Sequence, residues 1–249
     1  MPTLEWIGKS KVINHHQEVP FRVLERKYSF DENGEHSEDN GSDNMIIRGD
    51  NLEALKALLP RYEGRVKCIY IDPPYNTGNE GWVYNDNVND PKIKKWLGEV
   101  VGKEGEDLTR HDKWLCMMYP RLKLLQKLLA DDGVIFISID DREQVLLRMI
   151  CNEIFGENNF LAQFVWQKRT SPDMRKLVST AHEYVCAYCK DISYLPNAIS
   201  KVALSEEDAE NYKNPDNDPR GPWASSDFTA QGFRPNQMYE IITPGGARY

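Results

Sequence analysis

Two short runs of apolar residues most strongly limit the folds that are open to this chain. Val66 to Ile71 and Val134 to Ile139 are rich in β-branched and aromatic residues, which is typical of strands buried on both faces of a sheet. Segments with apolar residues at helical spacing precede and follow these strands. The alternation of strand and helix predicts an α/β fold made of parallel β/α units.

Further elements are predicted around the two strands. The apolar pattern predicts strands at 45–47, 161–166 and 184–188, and helices that begin at Asn51, His111 and Asp140. Asn51 is the expected N-cap of the first helix. The second helix should extend to Leu129, with Pro120 kinking or dividing it, and 131–133 should stop it.

Changes in composition divide the chain into four parts. Residues 31–44 are polar and acidic and lack apolar periodicity, which predicts a flexible linker between an N-terminal arm (1–30) and a main domain (45–200). Residues 201–249 are rich in Pro, Gly and Asn, which indicates the start of a second, incomplete region.

The whole-chain composition excludes several classes of protein. The chain has 249 residues, and none of its apolar runs approaches the roughly 20 residues of a membrane-spanning helix. The five cysteines are odd in number and scattered, which argues against a secreted disulfide scaffold, so we expect a cytoplasmic protein without membrane contact. The net charge of −8 neither supports nor excludes DNA as a partner, because a whole-chain sum hides local basic patches.

No metal site is predicted. Cys186 and Cys189 form a C-x-x-C, but on a strand this spacing places the two side chains on opposite faces, and the chain offers no second pair. His15, His16 and His182 have no pattern of carboxylates or thiols that would complete a set of ligands.

The strongest candidate for chemistry is Asp72-Pro73-Pro74-Tyr75, directly after the first strand. Ligands of α/β sheets bind at the carboxyl ends of strands. The carboxylate of Asp72 and the carbonyl of Pro73 could accept the two hydrogens of a planar amino group, which makes its nitrogen a better nucleophile. The prolines stiffen the loop. Tyr75 offers a ring on which a base flipped from a duplex can stack.

The extended loop, Asp72-Pro-Pro-Tyr-Asn-Thr-Gly78, resembles the catalytic loop of amino-methylating DNA methyltransferases, in the form found in Mod subunits of type III restriction-modification systems. Other blocks resemble the same family in the same order. These blocks are 14–24, 49–55, 118–122, 132–140, 154–160 and 214–221. The resemblance implies an incomplete Rossmann-like sheet of the S-adenosylmethionine-dependent methyltransferases, with an N-terminal arm and the start of a target-recognition region.

The resemblance also implies an activity and its partners. The family transfers a methyl group from S-adenosylmethionine to the exocyclic amino group of adenine in DNA. By this resemblance Asp72, Pro73, Pro74 and Tyr75 are catalytic, Tyr75 and Asn76 bind the flipped adenine of double-stranded DNA, and Asp50 and Asp72 contact the cofactor. A capping turn is an equally good interpretation of Asp50. The implied partners are a restriction (Res-type) subunit and a second copy of the chain.

One family feature is missing from the sequence. The Gly-rich cofactor turn, aromatic-x-Gly-x-Gly after a strand, is not found, so we expect a truncated chain that binds S-adenosylmethionine weakly and methylates poorly or not at all. Two alternatives remain open. The chain could methylate a cytosine amino group, or an amine of RNA or protein, or it could be a non-catalytic remnant that binds DNA or a partner.

Two further sets of residues have a weaker claim to DNA contacts. Trp166 with Lys168 and Arg169 could stack on and neutralise DNA, although a core tryptophan beside solvated charges is the preferred interpretation. Arg220 and Arg234 lie in a loop-like region where contacts with bases or phosphates are expected.

Overall fold

The structure is a computed structural model, and it describes residues 3–76, 108–171, 174, 177–200, 205, 209–225 and 239–248. Within the chain, 1–200 and 201–249 form two compact units. The irregular segment predicted between Asn76 and Leu108 lies almost wholly outside the described residues.

The first unit contains most of the secondary structure. Its helices are α1 (Lys9–Val12), α2 (His15–Glu18), α3 (Asn51–Tyr62), α4 (Leu108–Leu128), α5 (Gln144–Phe155) and α6 (Leu195–Ala198). Its strands are β1 (Ser29–Asp31), β2 (Gly34–His36), β3 (Val66–Ile71), β4 (Leu129–Ile139), β5 (Phe160–Gln167) and β6 (His182–Cys189). Short 3₁₀ turns lie at Glu157–Asn159 and Ile192–Tyr194.

Four strands form the central sheet in the order β3-β4-β6-β5. β3 and β4 are parallel, whereas β6 is antiparallel to both of its neighbours. The predicted α/β class is confirmed, and the sheet is mixed. The carboxyl ends of β3 and β4 meet at one edge, which brings the loop after Ile71 beside the residues that follow Ile139.

The start of α3 differs from the prediction. Asp50, and not Asn51, is the N-cap: its Oδ1 accepts hydrogen bonds from the backbone N–H groups of Leu52 (2.9 Å) and Glu53 (3.0 Å). The predicted strand at 45–47 is wrong, because these residues are non-regular and Ile46 is fully exposed. So short a run needs a neighbouring strand, and none of the described strands pairs with it.

The junction between α4 and β4 also corrects the sequence analysis. α4 continues through Pro120 without a break, since buried residues on both sides, such as Met118 and Leu122, hold the helix in the core. The helix ends at Leu128, before the predicted stop at 131–133, and β4 begins at once. The pairing of β3 with β4 is irregular at this point, because Val66 pairs with Leu129 while Cys68 pairs with Val134. β4 therefore has more residues in this segment than β3.

The two faces of the sheet have different surroundings. One face, called the packed face here, comprises Ile69, Ile135, Ile137, Ile139, Cys186 and Tyr188, all buried. The hydroxyl of Tyr188 donates to Asn152 Oδ1 of α5 (2.7 Å), which places α5 on this face. The opposite face, called the open face, includes the exposed residues Tyr70, Phe164 and Trp166 as well as Phe136 and Glu183, and its buried residues are Val134, Ser138, Ala187 and Cys189.

The N-terminal arm packs against the helices of the packed face. Trp6 Nε1 donates to the sulfur of Cys116 in α4 (3.3 Å). The buried ammonium of Lys9 contacts Glu153 of α5 (3.0 Å) and the carbonyl of Leu4 (2.7 Å). Buried lysines of this kind need such partners, so these contacts hold the arm in place.

The segment 31–44 and the second unit contain little regular structure. β1 and β2 form a small antiparallel hairpin that the acidic composition did not indicate. In the second unit, isolated bridges join Lys213 to Trp223 and Ile242 to Arg248. Across the described ranges, no helix is both long and apolar enough to cross a membrane.

Candidate active site

The loop that follows β3 carries the predicted catalytic residues at the carboxyl edge of the sheet. Asp72 is exposed, Pro73 is buried, and Pro74 and Tyr75 are half-buried. Asn76 is 3% exposed and has a left-handed backbone conformation (φ 57°), which Asn adopts more readily than most residues. The loop therefore presents a carboxylate to solvent on a backbone whose other residues are anchored.

Helix α4 holds the middle of this loop. The indole Nε1 of Trp114 donates to the carbonyl oxygen of Pro74 at 2.7 Å, and the side chain of Trp114 is fully buried. Because Pro74 has no N–H, its carbonyl is the only backbone group through which this residue can be held by a hydrogen bond.

A buried carboxylate holds the end of the loop. Glu143 precedes α5 and is fully buried, and its Oε1 accepts hydrogen bonds from Asn76 Nδ2 and from His111 Nδ1 (2.6 Å to His111). Burial raises the pKa of Glu143, and the hydrogen bond from Asn76 and the charge of His111 oppose this rise. Three elements thus meet at one oxygen: the catalytic loop, α4 and the turn before α5.

Tyr75 lies between these two anchors. Burial raises its pKa above the usual range, and the nearby Asp72 carboxylate, which accepts a hydrogen bond from its hydroxyl, raises it further. Ser138, which also contacts Tyr75, bonds to the hydroxyl of Tyr70 (2.7 Å) on the open face. The hydroxyl of Tyr75 thus lies among polar groups at the top of the sheet.

A charged pair flanks the ring of Tyr75. The ammonium of Lys168 lies 5.8 Å from the ring centroid, within the range of a cation–π contact. The same ammonium forms an ion pair with Glu183 on the neighbouring strand. Lys168 is therefore a positive group beside the predicted catalytic loop, although the sequence associated it only with Trp166.

Asp50 lies at the start of α3, away from the catalytic loop along α4. Asn51 Oδ1 accepts a hydrogen bond from Arg121 (2.7 Å), whereas the catalytic loop meets the same helix at Trp114. These points are separated by about 10 Å along the helix axis. The capping interpretation of Asp50 is the one seen here, and both helix amides use only its Oδ1.

The structure contradicts the preferred interpretation of Trp166. This side chain is 64% exposed, so it is not a core tryptophan. In the second unit, Arg220 pairs with its neighbour Asp218. Arg234, Thr77 and Gly78 lie outside the described residues.

The cysteines of the C-x-x-C are buried on the sheet. Cys186 is fully buried, and the thiol of Cys189 donates to the carbonyl of Asn159 (3.4 Å). Among the residues that the structure describes, no group of His, Cys, Asp or Glu is arranged to hold a metal ion.

Sequence reasoning missed the groups that support the loop. Glu143 follows Asp140 and Asp141 at the start of a helix, where acidic residues usually face solvent. Trp114 belongs to the apolar pattern that predicts the helix from His111, and this pattern indicates burial but no contact with the loop. A glutamate that immediately precedes a strongly apolar helix, four residues after the end of a predicted buried strand, is the one available signal that a carboxylate could be buried there.

The chain belongs to the DNA methylase family, which it matches over residues 66–240. The family membership predicted from the catalytic loop is therefore confirmed. Among curated proteins, the Mod subunit of the type III restriction-modification enzyme EcoP15I of Escherichia coli is 36% identical over 231 residues, which are 84% of this chain and 35% of that protein. The Mod subunit of EcoPI from Escherichia phage P1 is 38% identical over 203 residues, 76% of this chain and 30% of that protein.

The chain spans about a third of the length of these curated relatives. Among solved structures, a putative DNA modification methylase of Thermus thermophilus, complexed with S-adenosyl-L-methionine, is 14% identical. The match covers 63% of this chain and 56% of that one, with a TM-score of 0.36. That similarity is too low to add to the family assignment.

Proposed function

We propose that this chain carries the catalytic loop of an S-adenosylmethionine-dependent methyltransferase that methylates the exocyclic amino group of adenine in DNA. The proposal rests on one observation: Asp72-Pro73-Pro74-Tyr75 directly follows β3, an outer strand of the described sheet, with its carboxylate exposed and its backbone held by Trp114. By analogy with the Mod relatives, the chain acts as part of a type III modification subunit, alongside a restriction subunit and in the cytoplasm.

In this proposal the loop acts by positioning and electrostatics. The Asp72 carboxylate accepts one hydrogen of the adenine amino group, and the carbonyl of Pro73 accepts the other, since the carbonyl of Pro74 is bonded to Trp114. The flipped adenine stacks on the ring of Tyr75. The Asp72 carboxylate has about four acceptor positions, so it can accept the amino hydrogen while it still accepts the hydroxyl of Tyr75.

The residues at this edge fit the proposed cofactor in chemical type. S-adenosylmethionine supplies an electrophilic methyl group when it is bound. Asp50 uses Oδ1 for the helix cap, so Oδ2 remains as an acceptor for a hydroxyl or amino group, and Asp72 offers a second carboxylate.

The test is a methyl-transfer assay with S-adenosylmethionine tritiated in its methyl group and duplex DNA of mixed sequence. The DNA is then digested to nucleosides, and the labelled nucleoside is identified. We expect label in N6-methyladenine and none with Asp72→Ala. Label in N4-methylcytosine would show that the target base is cytosine and not adenine. DNA binding without any label would support the non-catalytic alternative.

A further inference from the structure

We propose that Glu143 is a positioning residue that sets the conformation of the catalytic loop through Asn76. The link to methyl transfer rests on the proposed function, but the structural part of the inference concerns the chain alone. Glu143 lies outside the predicted catalytic motif Asp72-Pro73-Pro74-Tyr75 and contacts Asn76, the residue that directly follows it, from another element of the fold.

The burial of the Glu143 carboxylate carries a cost in folding free energy. Its side chain is fully buried, and an unpaired buried carboxylate is strongly destabilising. Oε1 accepts both Asn76 and His111, while Oε2 is buried and has no hydrogen-bond partner in the described part of the chain. A hydrophobic residue of similar size would avoid this penalty, so stability alone does not account for a glutamate at this position.

The conformation of Asn76 provides the second step. Its left-handed φ of 57° reverses the direction of the chain immediately after Tyr75. Most residues are strained in this conformation, and Asn is among the few that adopt it readily. The bond from Asn76 Nδ2 to Glu143 selects this conformation over the extended ones that the same residue can adopt.

Helix α4 links the two anchors of the loop. Trp114 and His111 are three residues apart, so they lie on the same side of the helix. Trp114 forms a hydrogen bond with the carbonyl of Pro74. His111 forms a hydrogen bond with the carboxylate of Glu143, which also accepts one from Asn76. Tyr75 is therefore the one residue between two fixed points, and a shift of Asn76 would move its ring. A displacement of about 1 Å at a reacting centre can lower a rate about a hundredfold.

The test exchanges the amide of Asn76 and the carboxylate of Glu143 between the two positions. Asn76→Asp keeps a residue that tolerates left-handed backbone but places two carboxylates together in a buried site. Glu143→Gln removes the negative charge and keeps an acceptor. In the double variant, the amide of the new glutamine can donate to the new aspartate, which restores a complementary pair. Exposed neighbours provide the matched control, Asn158→Asp with Glu157→Gln.

The first readout is hydrogen–deuterium exchange of peptides that contain Tyr75 and Asn76, measured on the full chain. We expect exchange about tenfold faster in Asn76→Asp, restoration in the double variant, and no change in peptides from β4 or in the control pair. The inference is overturned if loop exchange in Asn76→Asp equals that of the wild type, if β4 changes equally, or if the double variant fails to restore it. If Asn76→Asp does not fold, Glu143→Leu, which removes the acceptor, decides: faster exchange in the loop alone supports the inference, and unchanged exchange overturns it.

The second readout is methyl transfer. We expect kcat to fall about a hundredfold in Asn76→Asp and to recover largely in the double variant, with the KM for S-adenosylmethionine unchanged. Restored loop exchange without restored kcat would overturn the functional half of the inference. A wild-type chain with no activity would instead refute the proposed function, and the exchange experiment would still decide the role of Glu143.

Discussion

The packed face and the open face of the central sheet are made by the same strands, yet they differ in what covers them. On the packed face, Ile135, Ile137 and Ile139 are completely buried against helices. On the open face, Tyr70 is 62% and Trp166 is 64% exposed. Neither face is uniform, since Ala187 on the open face is 1% exposed and Val165 at the end of β5 on the packed face is 66% exposed, so apolar character alone does not predict burial.

The two faces of the sheet contribute to different properties of the molecule, stability and the candidate site. The packed face supplies the apolar burial that stabilises the unit, whereas the open face and the sheet edge beside it carry groups that contact the catalytic loop, such as Ser138 and Glu183. Substitutions on one face should therefore change stability, and substitutions on the other should change binding or catalysis. Four predictions test this division, in order of decreasing expected effect.

The largest effect is expected from Ile137→Ala on the packed face. The side chain is fully buried, so its truncation leaves a cavity and should lower the free energy of unfolding by roughly 2–5 kcal/mol. Urea denaturation followed by circular dichroism measures this change. Phe164→Ala, on the open face of the same sheet, should cost less than about 1 kcal/mol. Equal losses for the two variants would remove the distinction between the faces.

The next effect is expected from Asp72→Asn at the edge of the sheet. Loss of the carboxylate should lower methyl transfer by about 10²–10³-fold, comparable to removal of one preorganised group at a reacting centre. The free energy of unfolding should hardly change, because Asp72 is exposed. Single-turnover methylation and urea denaturation of the same sample provide both values. A variant that lost stability and activity together would show that Asp72 is structural.

A smaller effect is expected from Trp166→Ala on the open face. An exposed tryptophan that stacks on DNA should contribute roughly 1–3 kcal/mol to binding, measured as a change in Kd by fluorescence anisotropy. Truncation of a core tryptophan would instead cost about 3–5 kcal/mol of folding free energy. An unchanged Kd would exclude Trp166 from the DNA-binding surface.

The smallest effect is expected at the helix cap. Asp50→Ala should lower the free energy of unfolding by about 1 kcal/mol, because two backbone N–H groups of α3 lose their acceptor. Asp50→Asn should retain most of that stability, since Asn caps about as well as Asp. If Asp50 also contacts the cofactor, Asp50→Asn should weaken binding of S-adenosylmethionine in isothermal calorimetry. Unchanged binding would leave Asp50 as a cap only.

Local patterns in the sequence predicted the parts of this molecule that depend on local chemistry. The run from Val66 to Ile71 forms the predicted strand, but the expectation that it is buried on both faces is wrong, because it is an outer strand of the described sheet and Tyr70 is 62% exposed. The role of the loop that follows it stays a prediction from its acidic, proline and aromatic residues. The α4–β4 boundary could not be predicted, because pairing with β3 allows the strand to begin at Leu129. The carboxylate of Glu143 could not be identified either, since its partners Asn76 and His111 are brought together only by the fold.

The irregular pairing at the beginning of β4 has a consequence for how sequences of this kind can vary. Residues 129–133 of β4 lie opposite the first two residues of β3. Gly133 is needed in this segment because a Cβ would lie 2.8 Å from the carbonyl oxygen of Val66. From Cys68 to Ile71 the pairing is regular. Insertions or deletions at the α4–β4 junction can thus be taken up at the far end of the sheet, while the spacing between the catalytic loop and the turn that carries Glu143 is preserved.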